Sequence, residues 1–219
     1  MESKRSDWFY DLAYLTSYTV MTLGFSLRTV GVSNMPHHGP VLILANHESY
    51  FDPPLVGVAV RRRIGYLARK TLFRNRYFSW LIHNLGAVPI DQDGVGREGL
   101  QTSVSILKAG KPLLIFPEGE RSPTGDMLPF KPGVMLVLRR CPVPILPVGI
   151  AGAYESFPRN RKLPLPSPLF WTRTGGGMAV SVGKLIPPES YQGLEREAVL
   201  SMLFDAVASE VRRAELLVR

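Results

Sequence analysis

The heptapeptide NHESYFD, Asn46 to Asp52, places a histidine and a carboxylate five residues apart directly after the apolar run VLILA, Val41 to Ala45. A histidine at a strand end can be met by such a carboxylate, so that Asp52 accepts the Nδ1 proton and Nε2 of His47 is left as a base. An imidazole held this way can take the proton of a hydroxyl near neutral pH, which an alcohol needs when it attacks a carbonyl. The same residues also fit a loop histidine beside an aspartate that caps the helix opened by Pro53 and Pro54.

A second cluster is IFPEGERS, Ile115 to Ser122, followed by Phe130, Lys131, Pro132 and Gly133. A buried strand that delivers Glu118 and Gly119 at its carboxyl end, then Arg121 and Lys131, can set one carboxylate and two cations around a phosphorylated ligand. Taken alone, it equally describes a turn with a surface ion pair. Gly94, Gly96 and Gly99 spell G-x-G-x-x-G after an apolar run, with Glu118 about twenty residues on, the spacing of a dinucleotide-binding unit. Against NAD stand Asp91 and Asp93, flanking Gln92, which would put two carboxylates where a pyrophosphate binds. Loop freedom ahead of a helix is the better account of these glycines. His37, His38 and His83 lack the spacing of metal ligands, and the single cysteine, Cys141, excludes an internal disulfide and a multi-cysteine metal site.

The elements that must carry these residues follow from hydrophobic periodicity. Strands are expected at Val41–Ala45, Ile64–Ala68, Ala87–Ile90, Leu113–Phe116, Val143–Ile150 and Met178–Val182. Helices are expected at about Pro54–Val60, Leu72–Leu85, Gly96–Ala109, Pro132–Arg140 and Gly193–Leu217. Strands separated by single helices give an α/β fold, one domain with a mostly parallel sheet flanked by helices. In such sheets ligands bind at the carboxyl ends of strands, where His47 and Glu118 fall. With 219 residues, 45% of them hydrophobic, the chain suits one compact domain.

Ahead of that domain runs an N-terminal helical segment, WFYDLAYLTSYTVMTLGFSLRTV, Trp8 to Val30. Its uncharged stretch, Leu12 to Leu27, is shorter than the roughly twenty residues that span a bilayer. Thr16, Thr19, Thr22, Ser26 and Thr29 recur at helical spacing opposite Leu, Tyr, Met and Phe, as in a helix lying in one leaflet with Lys4, Arg5 and Arg28 at lipid phosphates. A buried core helix is the alternative. The organisation is therefore a membrane-interface helix over 1–35 and an α/β domain over 36–219.

Lys and Arg number 26 against 18 Asp and Glu, a net charge of +8 that asks for an anionic partner. No acid lies between Asp52 and Asp91, while Arg61, Arg62, Arg63, Arg69, Lys70, Arg74 and Arg76 fill the gap. A second acid-free stretch, Glu155 to Glu189, holds Arg159, Arg161, Lys162 and Arg173 among prolines, Phe170 and Trp171. Cations mixed with aromatic and apolar residues suit a membrane surface with anionic lipids, and no nucleic-acid pattern is present. The localisation this implies is the cytoplasmic face of the cell membrane.

NHESYFD followed about seventy residues later by FPEGERS, with the turn GVSNMP (Gly31 to Pro36) before and VPILPVGI (Val143 to Ile150) after, resembles the glycerolipid acyltransferase family, especially its 1-acylglycerol-3-phosphate acyltransferases. The resemblance implies that His47 and Asp52 are the catalytic pair and that Glu118 and Gly119 shape the acceptor site. Asn46, Arg121 and Lys131 join them as substrate-binding candidates. It also marks departures. Glu120 stands where family members commonly carry Thr, and the strand ending Ile90, Asp91, Gln92 lacks the arginine expected on the acceptor phosphate, leaving Arg97 or Lys70 to supply that charge. The implied reaction is acyl transfer from acyl-CoA or acyl carrier protein to a lysophospholipid, above all lysophosphatidate, giving phosphatidic acid. A thioester is already activated, so no serine or cysteine nucleophile is needed, and the chain has no G-x-S-x-G elbow; the implied chemistry calls for no cofactor and no metal. Glycerol 3-phosphate or another lysolipid is the nearest alternative acceptor. A non-enzymatic lipid-binding protein and an NAD-dependent oxidoreductase are the alternatives of other classes.

Overall fold

The structure, a computed structural model of the chain, describes residues 2–90, 96–168 and 176–218. Asp91, Gln92, Asp93, Gly94, Phe170, Trp171 and Arg173 lie outside these residues, as do the side chains of Lys4 and Arg5.

Seven strands form one sheet in the order β1-β7-β6-β2-β5-β3-β4. They are β1 (Arg28–Val30), β2 (Leu42–Ala45), β3 (Gly65–Arg69), β4 (Ala87–Ile90), β5 (Leu113–Ile115), β6 (Ile145–Ala151) and β7 (Ala179–Val182). The helices are α1 (Glu2–Phe25), α2 (Asp52–Val60), α3 (Arg76–Asn84), α4 (Arg97–Lys108), α5 (Gly133–Arg140), α6 (Ala153–Ser156) and α7 (Arg196–Val218). Each of the six expected strands forms within about two residues of its apolar run. From β6 through β2, β5 and β3 to β4, all neighbours are parallel, so the carboxyl ends of five strands share one edge.

Four local features depart from the sequence expectation. The N-terminal helix stops at Phe25 because Ser26 turns to φ 51°, and Arg28–Val30 becomes a strand paired with β7, so the sheet begins before residue 36. Strand β7 runs antiparallel to β6. The helix expected over Leu72–Leu85 is split into a 3-10 turn, Lys70–Phe73, and α3, because the Asn75 side chain caps α3 by accepting from the N–H groups of Tyr77 and Phe78. The short helix α6 gave no sequence signal, being a single turn.

Alternation along the strands sorts the core onto two faces. Ile43 and Ala45 join Leu114, Leu146 and Val148 beneath α2 and the end of α1, while Leu42 and Leu44 join Leu113 and Ile145 beneath α4, α5 and α7. The crossing of α7 over β6 is close enough to demand a glycine. A Cβ on Gly149 would stand 2.1 Å from the backbone of Glu210 and Val211. Gly149→Ala therefore pushes α7 off the sheet, and a loss of about 1–3 kcal/mol is expected in denaturant unfolding, the range of an overpacked core.

Helix α1 is not a core helix. Only Met21 and Phe25 of its described side chains are buried, whereas Trp8, Leu12, Leu15, Tyr18, Val20 and Leu23 are exposed. It leans on the domain through Phe9 against Trp80 of α3, with ring centroids 4.7 Å apart, and through Phe25 against Phe51. Among the described residues no helix is long and apolar enough to cross a membrane. Arg28 sits on β1 and donates to the carbonyl of Leu217, so it is tied to α7 rather than offered to lipid from the helix.

Candidate active site

Strand β2 ends at Ala45, and the chain then turns so that the imidazole of His47 meets the first residue of α2. Nδ1 of His47 lies 2.7 Å from Oδ2 of Asp52. That same oxygen accepts the backbone N–H groups of Glu48 and Ser49, at 2.7 and 2.8 Å. Asp52 is wholly buried, while the His47 side chain retains 18% of its accessibility. A carboxylate fixed by two backbone donors holds the imidazole orientation and leaves Nε2 for a reactant. The opposite face of the ring stacks on Phe116 at 4.0 Å.

The FPEGERS segment closes on this dyad from the adjacent strand, β5. Glu118, only 1% exposed, accepts the N–H of His47 through Oε1 at 2.7 Å and the N–H of Leu128 through Oε2 at 2.9 Å. Ser122 donates its N–H to the carbonyl of His47 at 2.7 Å. Glu118 thus supports the His47 loop from behind, with both oxygens on backbone donors, a correction to its expected place in the acceptor site. The donor groups are also accounted for: the N–H groups of residues 47, 48 and 49 are spent on Glu118 and Asp52, so none of the three is free to bind an oxyanion.

Three buried carboxylates, Glu48, Asp52 and Glu118, crowd this loop, and two of them, Glu48 and Glu118, are shifted in acidity. Burial pushes Glu118 up to about 7, against the pull of its two N–H donors, and the charge of Asp52 adds to the rise. Glu48 is raised well above the carboxylate range, first by burial and then by Asp52, although it accepts the N–H groups of Ala153 and Tyr154 at the start of α6. For Glu118 the sign of the linkage is definite. The unfolded group ionises near 4.5 and the folded one near 7, so folding takes up a proton between these values and stability falls as pH rises through the window. Glu118→Gln removes this term, and its melting temperature is expected to decline less steeply than that of the wild type between about pH 5 and pH 7.5 in thermal unfolding.

A cavity of about 320 Å³ is lined by Arg69, Glu120, Arg121 and Arg159. Arg69 ends β3, Arg121 follows Glu118, and Arg159 lies beyond β6 and α6, so neighbouring parallel strands deliver all three cations to one edge. The guanidinium of Arg121 lies 3.5 Å over the ring of Tyr50, and one of its nitrogens is buried without a hydrogen-bond partner among the described residues. Lys131 reaches across Gly119, whose φ of +76° and missing Cβ admit it; a Cβ there would stand 2.9 Å from the lysine chain.

Several expected site residues prove to be elsewhere. Asn46 is buried, and its amide accepts the Ile150 N–H at 2.8 Å and donates to the Ile150 carbonyl at 3.0 Å, clamping the end of β2 to β6 rather than touching substrate. Lys70 turns to Glu98, 3.6 Å away, and Arg97 is exposed in the first turn of α4; neither lines the cavity. Arg69 is the last residue of β3 and lines the cavity, whereas Lys70 already belongs to the 3-10 turn that follows. The dinucleotide reading loses its acid, since both oxygens of Glu118 are already engaged, and Gly94 lies outside the described residues.

Comparison with known proteins bears on what this edge is for. A family model described as Acyltransferase matches residues 26–151, from β1 to the end of β6, and so spans the dyad, the FPEGERS loop and most of the sheet. The chain belongs to the acyltransferase family. Among curated relatives of this acyltransferase, the 1-acyl-sn-glycerol-3-phosphate acyltransferase of Bacillus subtilis is 26% identical over 90% of this chain and 92% of its own. A probable enzyme of the same name from Mycoplasma genitalium is 28% identical over 90% of this chain and 76% of its own. The crystal structure of PlsC from Thermotoga maritima, the 1-acyl-sn-glycerophosphate acyltransferase of that organism, shares the fold with a TM-score of 0.79 at 24% identity, covering 99% of this chain and 83% of that one.

The acyltransferase's His47–Asp52 pair and the place of Arg121 beside it in sequence follow from motif and spacing, but Arg69, Arg159 and the buried Glu48 were not singled out as site residues, and Lys131 does not line the cavity. Arg69 carried a usable signal, a cation on the last residue of an expected parallel strand. Arg159 carried none, because a segment rich in Pro and Arg says nothing about where it folds back.

Proposed function

We propose that this acyltransferase moves a fatty acyl group from an acyl thioester to the free hydroxyl of 1-acylglycerol 3-phosphate, forming phosphatidic acid for phospholipid synthesis. The observation that carries the reading is the His47–Asp52 pair, 2.7 Å apart with the imidazole partly open to solvent, on a sheet edge that also carries a cavity lined by three arginines. His47 Nε2 takes the hydroxyl proton as the oxygen attacks the thioester carbonyl, and Asp52 stabilises the imidazolium. Collapse of the tetrahedral intermediate breaks the C–S bond, and the imidazolium returns the proton to the departing thiolate. Arg121, with its unpartnered nitrogen, and Arg69 and Arg159 hold the acceptor phosphate. Acyl-CoA and acyl carrier protein both present the same thioester, and neither requires a further cofactor.

The reaction takes place at the cytoplasmic face of the cell membrane, with α1 lying in one leaflet and anionic lipids drawn to the net positive charge. The exposed apolar side chains of α1 support this. Trp8→Ser combined with Leu12→Ser is expected to abolish co-flotation with vesicles containing anionic phospholipid, and undiminished flotation would exclude α1 as the anchor. The function itself is tested by thiol release from a long-chain acyl-CoA, or from acyl carrier protein, with lysophosphatidate, glycerol 3-phosphate or a lysophosphodiester as acceptor. Release that depends on lysophosphatidate supports the proposal. Release with glycerol 3-phosphate alone reassigns the acceptor, and silence with every pair leaves a lipid-binding protein.

A further inference from the structure

The cationic cavity contains one acid. Glu120 lines it together with Arg69, Arg121 and Arg159, and its carboxylate bridges two cations, Oε1 lying 3.7 Å from Lys131 Nζ and Oε2 3.9 Å from an Arg159 nitrogen. We propose that Glu120 is a resident counter-anion in this cavity, which an incoming phosphate displaces. This rests on the acceptor reading above only for its kinetic arm.

Both pairs are longer than the roughly 2.7–2.9 Å of a charge-assisted hydrogen bond, and the Glu120 side chain is 52% exposed. Contacts of this kind between solvated groups are weak. A phosphate brings more charge and three acceptor oxygens to the same cations and can approach them at hydrogen-bond distance. Two effects of removing Glu120 oppose one another: the cations lose a partner that draws them together, and they lose a competitor. The geometry decides between them. Arg121 is held by the Tyr50 ring at 3.5 Å, and Arg159 donates to the Arg121 carbonyl at 3.3 Å, so both keep their places without the carboxylate. Competition is therefore the larger effect, and the cavity without Glu120 binds phosphate more tightly.

The test is calorimetric titration of inorganic phosphate into the full chain at low ionic strength, comparing wild type, Glu120→Gln and Glu98→Gln. The last removes an equal charge from the pair with Lys70, which does not line the cavity. Glu120→Gln is expected to bind phosphate about three- to tenfold more tightly, the gain from releasing two exposed ion pairs, and Glu98→Gln to match the wild type. Equal or weaker binding by Glu120→Gln, an equal gain in Glu98→Gln, or no binding to any form overturns the proposal. In the acyl-transfer assay the same substitution lowers KM for lysophosphatidate by a similar factor and leaves KM for acyl-CoA in place. If lysophosphatidate proves inert while Glu120→Gln still tightens phosphate binding, the acceptor assignment falls and the counter-anion stands.

Discussion

Replacing His47 with Ala lowers the rate of acyl transfer by about 10²- to 10⁴-fold, the range of a lost general base. No other described group is placed to substitute for it. Glu118 is buried with both oxygens on backbone donors, Glu48 is buried with one oxygen on backbone donors and the other on the Asn46 amide, and Asp52 is shut behind the imidazole itself. The fold should survive, because the loop around residue 47 is held by its backbone rather than by its ring: the N–H of His47 goes to Glu118 and its carbonyl accepts from Ser122. The measurement is single-turnover thiol release beside a thermal melt. A melt close to that of the wild type with turnover reduced by less than tenfold would remove His47 from the chemistry.

Asp52→Asn produces the second large effect and separates two roles of one carboxylate. Its Oδ2 serves His47 Nδ1 and the N–H groups of Glu48 and Ser49 together. An asparagine oxygen in the place of Oδ2 can still accept from the backbone and from Nδ1, with its NH₂ group where Oδ1 has no partner among the described residues, but the side chain has lost the charge that stabilises an imidazolium. A fall in kcat of about 10²- to 10⁴-fold is expected, with a modest loss of stability. Asp52→Ala goes further, because it strands two buried N–H groups at about 1–3 kcal/mol each, and its first symptom is a lower melting temperature. An Asp52→Asn enzyme with near-normal kcat would show that orientation by the loop suffices without the charge.

What the sequence disclosed and what it hid divide along a physical line. Strands β2 to β7 announced themselves because a buried parallel strand is a short apolar run, and helices α4 and α5 because their apolar residues recur at helical spacing. Arg28–Val30 was hidden because three residues with one cation do not make a pattern; it is a strand only because β7 offers an edge beside it. At the site, His47 and Asp52 are five residues apart, so their meeting follows from local geometry. Arg69 and Arg159 meet Arg121 only because β3, β5, β2 and β6 are neighbours in the sheet, an order that periodicity does not specify. Asn46 follows a related rule: a polar residue beside His47 invites a substrate contact, yet the end of a buried strand also needs its backbone partners satisfied, and that need takes the amide.

The three consecutive amides at 47, 48 and 49 belong to no helix or strand, and each is nevertheless bonded to a buried carboxylate. In a hydrogen-exchange experiment they would behave unlike an ordinary connecting loop, retaining their protons until the carboxylates let go. The slowest step of that release would be shared with Leu128, whose N–H hangs on the other oxygen of Glu118. The amide protons of His47 and Leu128, about eighty residues apart, would then keep time together on Glu118, and those of Glu48 and Ser49 on Asp52, two clocks for the opening of one loop.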